Sequence, residues 1–352
     1  ALVVAAAAIV GATVQATADD SRPGREPGLP YMECIGYPSI PCDPTFPDIV
    51  NDYGWLNAAQ TGLAGSVRAK QWARVPIGMV AAVAEFGYDY YDGPWDSNQT
   101  IDLRIRSFFT SPAGSKNPYG DSMLIPVRTV AFGSIPVQVT LQVSQSREAN
   151  GDLIPLQFVD RSRSIKGPHS DPTIGSIDSL GEGGPLQAKV DVKVRAISVD
   201  GVDVGLDGVC HTGPRASLDL RPEPFTLRVP KGAPDTYMAE HADPNRHFYS
   251  SSGGSLSGTI DIPSFSGCTT RTGDEISPLL TSAISGPGNP ITAKIGLVAC
   301  VIATADGRLA PNPPGVTSPY DPRSGCDTSL KNGNFEAVPK PLPFPDHAPG
   351  DD

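Results

Sequence analysis

From Ile135 onward the chain places Ile135, Val137, Val139, Leu141 and Val143 at every second position, with Pro136, Gln138, Thr140, Gln142 and Ser144 between them. A period of two marks a strand with one face buried and the other in water. The turn Glu148-Ala149-Asn150-Gly151-Asp152 follows, and the next apolar run begins at Leu153. Asn-Gly favours positive φ at both turn positions, so residues 135–159 are expected to form a β-hairpin. The preceding run, Met123 to Phe132, is expected beside it as an antiparallel neighbour.

The same alternation returns where Leu186, Ala188, Val190, Val192, Val194 and Ala196 are interleaved with Gln187, Lys189, Asp191, Lys193 and Arg195. Its phase slips at Ile197 and Val199, which predicts a bulge before Asp200-Gly201 turns the chain back. Ile101, Leu103 and Ile105 alternate with Asp102, Arg104 and Arg106, predicting a strand with one buried and one charged face. Ser217–Val229, Leu256–Ile262 and Lys294–Ile302 are read as further strands.

Helical spacing is rarer. Ile49, Val50, Tyr53, Leu56 and Leu63 lie near it, and Asp48 is placed to cap, so a short helix is expected between Asp48 and Gly65. Arg74–Tyr91 reads as a helix starting at Pro76 or as a buried strand, because a continuous apolar run does not separate the two. Glu275–Ser285 carries Ile276, Leu279, Leu280 and Ile284 on one helical face. There Ser277 is the expected cap, Pro278 the first helical residue and Gly286 the stop.

Composition narrows the class. Gly and Pro contribute 37 residues each and charged residues only 18%, a mixture that suits short strands and turns better than helices. The expected fold is all-β, mainly antiparallel, with two β-sandwich-like units and a few short helices. Residues 160–185 lose periodicity and gather Ser, Gly, Asp and Pro. They separate an N-terminal unit over 48–165 from a C-terminal one over 186–333. Residues 19–47 read as a Pro-rich arm and 334–352 as a disordered tail.

The uncharged run Ala1–Ala18 ends in Ala16-Thr17-Ala18 before Asp19, which reads as a signal peptide with its cleavage site. It has no basic segment, so the signal is expected to be partial, with the mature chain starting at Asp19. No later stretch reaches the length of a membrane-spanning helix, since Pro76 and Glu85 interrupt the longest candidate, Val75–Tyr88. A secreted, extracellular or envelope location follows. There the six cysteines should be oxidised, and none is spaced as C-x-x-C. Proximity in sequence suggests Cys34 with Cys42 and Cys268 with Cys300, leaving Cys210 for Cys326. The net charge of −11 excludes nucleic acid as a natural partner.

Candidate chemistry is sparse. Glu240, His241, Asp243 and His247 have the right side chains for a metal, but Pro244 keeps one helix from presenting both histidines together. Asp200, Asp203 and Asp207 lack the order of a calcium loop. His211 beside Cys210 makes a poor catalytic pair if that cysteine is bridged. Neither a G-x-S-x-G elbow nor an S-x-x-K motif occurs. Asn98-Gln99-Thr100 is a glycosylation sequon beside Tyr88, Tyr90, Tyr91 and Trp95, aromatics that suit a core, a lid or a sugar-stacking patch.

Val199-Asp200-Gly201-Val202-Asp203-Val204-Gly205 leading to Cys210, Gly258–Pro263 with Phe265-Ser266-Gly267-Cys268, and Ser277–Leu280 with Ile284–Asn289 carry a resemblance. Over about residues 186–300 the chain resembles an uncharacterised family of secreted actinobacterial β-rich proteins. The resemblance implies an actinobacterial envelope or culture-fluid location and no catalytic residue. The expected role is non-enzymatic, structural or binding, without cofactor, and with an envelope glycan or envelope protein as the partner to test. A secreted hydrolase of glycans or esters and an oligomeric porin of a mycolate-bearing envelope are the alternatives.

Overall fold

A computed structural model describes residues 29, 56–91, 98–131, 135–166, 174–179, 185–230, 237–249, 252–297, 302–303, 309–310 and 315–351. The segment read as a signal peptide, the Cys34/Cys42 arm apart from Leu29, Trp95 and Cys300 lie outside them.

The chain runs β1 (Leu56–Ser66), β2 (Gln71–Tyr91), β3 (Asn98–Phe109), β4 (Ile125–Ala131), β5 (Ile135–Gln145), β6 (Leu156–Lys166) and β7 (Ile174–Ser179). It continues through β8 (Leu186–Val199), β9 (Val202–Asp203), β10 (Leu206–Asp207), β11 (Cys210–Thr212), β12 (Ala216–Pro222) and β13 (Phe225–Pro230). Helix α1 (Tyr237–His241) precedes β14 (Phe248–Tyr249), β15 (Gly253–Ile262), β16 (Phe265–Ser266) and β17 (Thr269–Thr270). Helix α2 (Ser277–Ile284) then leads into β18 (Gly286–Ile295). The all-β, antiparallel class is the one the alternation predicts.

Strands from both halves of the sequence share one curled sheet. Reading β4-β5-β8-β12-β15-β18-β1-β2, each neighbour is antiparallel to the next, with β5 on β8 and β1 on β18 joining the halves across residues 160–185. At one end β4 returns against β2. Gln71 Nε2 donates to the Arg128 carbonyl, and Met123 lies over Gly78. At the other end β3 and β6 extend the sheet from β2 and bring Leu156 and Phe158 into the core against β8. The curl therefore closes on itself as a barrel, with side-chain contacts at the seam where no ladder among the described residues joins β4 to β2.

Gln145 secures the second closure. Its buried amide accepts from the Phe109 N–H (2.7 Å) and donates to the carbonyls of Ser107 (3.2 Å) and Ile154 (3.1 Å), tying β5 to β3 and to the approach of β6. Gln145→Leu keeps the volume and strands three half-buried backbone groups, so it is expected to cost about 3 kcal/mol. A urea midpoint equal to that of the parent would contradict this.

Several expectations need correction. The segment read as helix up to Gly65 is strand from Leu56 onward. Both of its edges are laddered, by β2 and β18, and Asn57, Ala58 and Ala59 are all buried, so tertiary pairing overrides the spacing. Arg74–Tyr91 lies within the long strand β2, which settles that ambiguity. The turn at Glu148–Asp152 forms, with Gly151 N–H on the Glu148 carbonyl and Gly151 at φ 92°. Yet β5 and β6 part after the Arg147–Leu153 bridge, since β5 pairs β4 and β8 while β6 pairs β3 and β7. The face of β3 expected in water is covered: Arg104 and Arg106 are buried beside Phe108, which packs with Leu29, Ala81, Tyr119 and Leu153.

The predicted bulge and turn are present. Ladder β5–β8 skips at Arg195 between Thr140–Ala196 and Leu141–Val194, and Asp200-Gly201 take φ 50° and 79° to reverse the chain. Helix α2 lies where predicted, but Ile276 is its N-cap without a side-chain bond. The Ser277 hydroxyl instead accepts from Cys268 N–H at 3.1 Å.

The segment expected as a disordered tail is packed from residue 334 to 351. Phe335 and Ala337 are buried with Ala59, Met79, Ala239 and Leu297, and Leu297 N–H donates to the Glu336 carbonyl. Trp72 Nε1 donates to the His347 carbonyl at 2.8 Å, and Pro349 covers Gly65. Its Pro and polar content hid these few apolar anchors, which meet Ala59 of β1 and Ile77 and Met79 of β2.

The cysteine pairing also differs. Cys210 bonds Cys268, with Cα atoms 4.3 Å apart, which excludes both Cys268–Cys300 and Cys210–Cys326; Cys326 is itself disulfide-bonded. Sheet register is the reason: β11 pairs β16 with His211 opposite Ser266, which brings Cys210 next to the chain at Cys268. Nearness in sequence was the wrong guide.

Candidate functional site

An eight-stranded barrel is just wide enough for large side chains to fill, or, with smaller ones, to hold one ligand. Here the two walls differ. Strands β5, β8, β12 and β15 send inward Val139, Leu141, Val190, Val192, Leu218 and Ile260, whereas β1 and β2 offer Ala58, Gly62, Ala64, Ala73, Gly78 and Ala82. The volume those small residues leave is a cavity of about 670 Å³.

Gly62 shows how closely the small wall is built. A Cβ there would lie 2.5 Å from the Thr292 carbonyl oxygen on β18, so the strand approach itself requires glycine. Phe158 and Phe248 meet edge to face at 5.2 Å and, with Leu186, Leu220 and Leu256, make a buried floor.

The opposite end is the mouth. Exposed lining residues gather there: Arg68 and Ala69 on the β1–β2 turn, Leu279 and Ala283 on α2, and Ile135 at the start of β5. Helix α2 partly roofs it, turning Ile276, Leu280 and Ile284 inward, while the Phe265 N–H donates to Thr281 Oγ1 at 2.9 Å. The Cys210–Cys268 bridge and the Ser277–Cys268 hydrogen bond fix the helix to the sheet. Arg68 Nη1 donates to the Thr281 carbonyl at 3.3 Å, and Ser66 Oγ to the Ala283 carbonyl at 3.4 Å. Among the described residues lining the cavity, Arg68 is the sole ionisable side chain. Two of its polar neighbours in the wall are bonded to the barrel itself, Thr61 Oγ1 to the Val75 carbonyl and Ser122 Oγ to that of Met123, whereas the Thr110 hydroxyl is buried without a partner among the described residues.

The candidates named from sequence lie elsewhere, outside the barrel around α1. His241 stacks on Tyr237 with ring centres 3.9 Å apart, and its Nδ1 meets the Tyr237 carbonyl at 2.8 Å. His247 stacks on Phe225, and its Nδ1 accepts from the Asp243 N–H at 3.2 Å. Asp243 Oδ1 accepts from the Asn245 N–H, and Glu240 is exposed. His241, Asp243 and His247 thus bond within their own segment, Tyr237 to His247. Among the described residues no group of three or more His, Cys, Asp or Glu is arranged to hold a metal ion. Asp203 pairs with Arg271 at 2.9 Å, and Cys210 beside His211 is bridged.

Electrostatics around α1 are structural. The Glu223 carboxyl is held below its ordinary value by the Arg246 guanidinium, and burial pulls Lys294 down despite the carboxylates of Glu336 and Asp243. Burial also lowers His247, with Glu223 opposing it. The folded protein thus favours neutral imidazole, and the unfolded chain binds more protons just below its ordinary value of 6.5. Stability from this group is complete above that value and falls as pH drops through the folded one. The melting temperature should fall more for the parent than for His247→Gln between about pH 7.5 and about pH 5. Equal losses would contradict this.

Sequence reasoning missed the cavity. Its signal was the small residues at alternate positions, Ala58, Gly62 and Ala64 facing Ala73, Gly78 and Ala82. No family model, no curated protein and no solved structure matches the chain.

Proposed function

We propose that this is an exported, non-enzymatic β protein that binds a single apolar, chain-like molecule inside its barrel. The observation that carries the reading is the aliphatic cavity, within the size range of small-molecule sites. A methylene occupies roughly the volume of a water molecule, about 30 Å³, so the space accepts on the order of twenty. The oxidised Cys210–Cys268 pair supports placement outside the cytoplasm, in keeping with the Ala-rich leader and the actinobacterial resemblance.

The lining argues for an envelope lipid over a glycan, because a sugar's many hydroxyls need a polar partner each and these walls are mostly apolar. A hydrolase would need a base beside a nucleophile, and the described lining supplies hydroxyls and amides without one. In a porin the apolar side faces lipid and the lumen is wet. Strand β8 has the opposite sense, with Val190 and Val192 inside and Lys189, Asp191 and Lys193 outside.

Straight-chain alcohols of increasing length, titrated while thermal unfolding is followed, test the reading. Affinity should rise roughly fourfold per added methylene, corresponding to about 0.8 kcal/mol each, until the cavity is full. No length-dependent stabilisation would overturn it. So would turnover of an ester or glycan that a single serine or carboxylate substitution abolishes.

A further inference from the structure

We infer that the ligand carries a single anionic head group, and that Arg68 receives it: the occupant is a long-chain carboxylate, tail inward. This deepens the proposed function and rests on the cavity being a ligand site.

Three observations meet at the mouth. Arg68 lies on the β1–β2 turn, lines the cavity and is exposed, at the end opposite the Phe158–Phe248 floor. It has no carboxylate partner among the described residues; its hydrogen bond is to the Thr281 carbonyl at 3.3 Å through Nη1. Other described cations of the chain do not share this position. Lys70, two residues on, is paired with Asp351, and Arg271 with Asp203. Arg68 therefore stands as an unpaired cation at the rim of a wall that is otherwise uncharged, in a protein whose net charge is −11.

The bond to Thr281 matters to the geometry. It anchors one arm of the guanidinium to α2 at the exposed end of the cavity and leaves its other N–H groups for a ligand. A carboxylate matches that fork with two parallel hydrogen bonds, which an ester or an alcohol cannot do. An amphiphile placed this way leaves its charge in water-accessible space and buries only its chain, so neither end is desolvated without a partner.

The test compares ligands of one chain length: hexadecanoate, its methyl ester, hexadecanol, hexadecyl phosphate and hexadecyltrimethylammonium, each titrated against the parent, Arg68→Met, Arg68→Lys and Arg68→Glu. The parent is expected to bind hexadecanoate about tenfold more tightly than the methyl ester, and the ammonium least well. Arg68→Met should bind carboxylate and ester alike, a ratio taken within one variant and so independent of any change in the contacts that the two chains share. Arg68→Lys should keep part of the preference, and Arg68→Glu should favour the ammonium. A tenfold preference for the phosphate over the carboxylate would overturn the choice of head group. A carboxylate preference that survives in Arg68→Met would overturn the role of Arg68. Failure of every ligand, alcohol included, would remove the cavity reading itself and this inference with it.

Discussion

Replacing Cys210 and Cys268 together by alanine is expected to cost about 4 kcal/mol, the chain-entropy value for a loop spanning the 58-residue separation of the pair. The loop they close holds β12 and β15, two staves of the barrel, together with β13, α1 and β14. The bridge also positions α2, because Cys268 N–H is bonded to the Ser277 hydroxyl at the first turn of that helix. Loss of the bridge should therefore lower the urea midpoint and loosen the mouth, with ligand affinity falling along with stability. Cys326→Ala leaves this loop closed and should leave the α2 amides as slow to exchange as in the parent. Fast exchange there in the single variant, or an unchanged midpoint in the double one, would contradict the account.

The second large effect separates binding from stability. Ala64 and Ala73 are cross-strand partners on the small wall and both line the cavity. Ala64→Leu with Ala73→Leu adds an isopropyl group at each position and fills space that no side chain now occupies. Cavity filling of this kind is expected to leave the fold as stable as before or to stabilise it by up to about 2 kcal/mol. If the added groups displace about four methylenes of ligand at about 0.8 kcal/mol each, affinity drops on the order of a hundredfold. A double variant that melts no lower than the parent and binds long-chain alcohols on the order of a hundredfold more weakly is the expected result. Undiminished binding would place the ligand elsewhere.

How much of this was legible in the sequence depends on how local each signal is. The alternation of β5 and β8 was plain, because each strand turns its apolar residues to the core and its polar ones away from it, even though Gln142 and Ser144 are covered there by the segment at Asp121 and Ser122. The slip before Ile197 and the Asp200-Gly201 turn were equally local. The α2 helix was visible for the same reason, although its cap was not, since the Ser277 hydroxyl is drawn to Cys268, nine residues earlier in the chain.

What failed depends on partners distant in sequence. Strand β1 looked helical because Leu56 and Leu63 are spaced that way, and only its ladders to β2 and β18 make it a strand. Arg104 and Arg106 looked solvated because nothing local announces the layer over Phe108 that buries them. The disulfide followed the β11–β16 register and not the distance along the chain. The cavity was hidden for a different reason. A run such as Ala58 to Ala64 reads as a weak strand, and the volume it fails to fill exists only when the opposite wall is in place.

The candidate site was thus misread in kind as well as place. Polar clusters such as Glu240 to His247 attract attention in a sequence, yet here they satisfy a turn. The described residues that make the site are mostly apolar, and among them only Arg68 carries a charge.

The measurement that bears most directly on the central claim locates the ligand. Intermolecular nuclear Overhauser contacts between a bound sixteen-carbon chain and the protein's methyl groups would be recorded, with about one ligand per chain. The account predicts contacts from the chain to Val192, Leu141 and Ile260, all inside the barrel. Contacts confined to Val202 and Val209, which are 69% and 61% exposed on the outside, would contradict it.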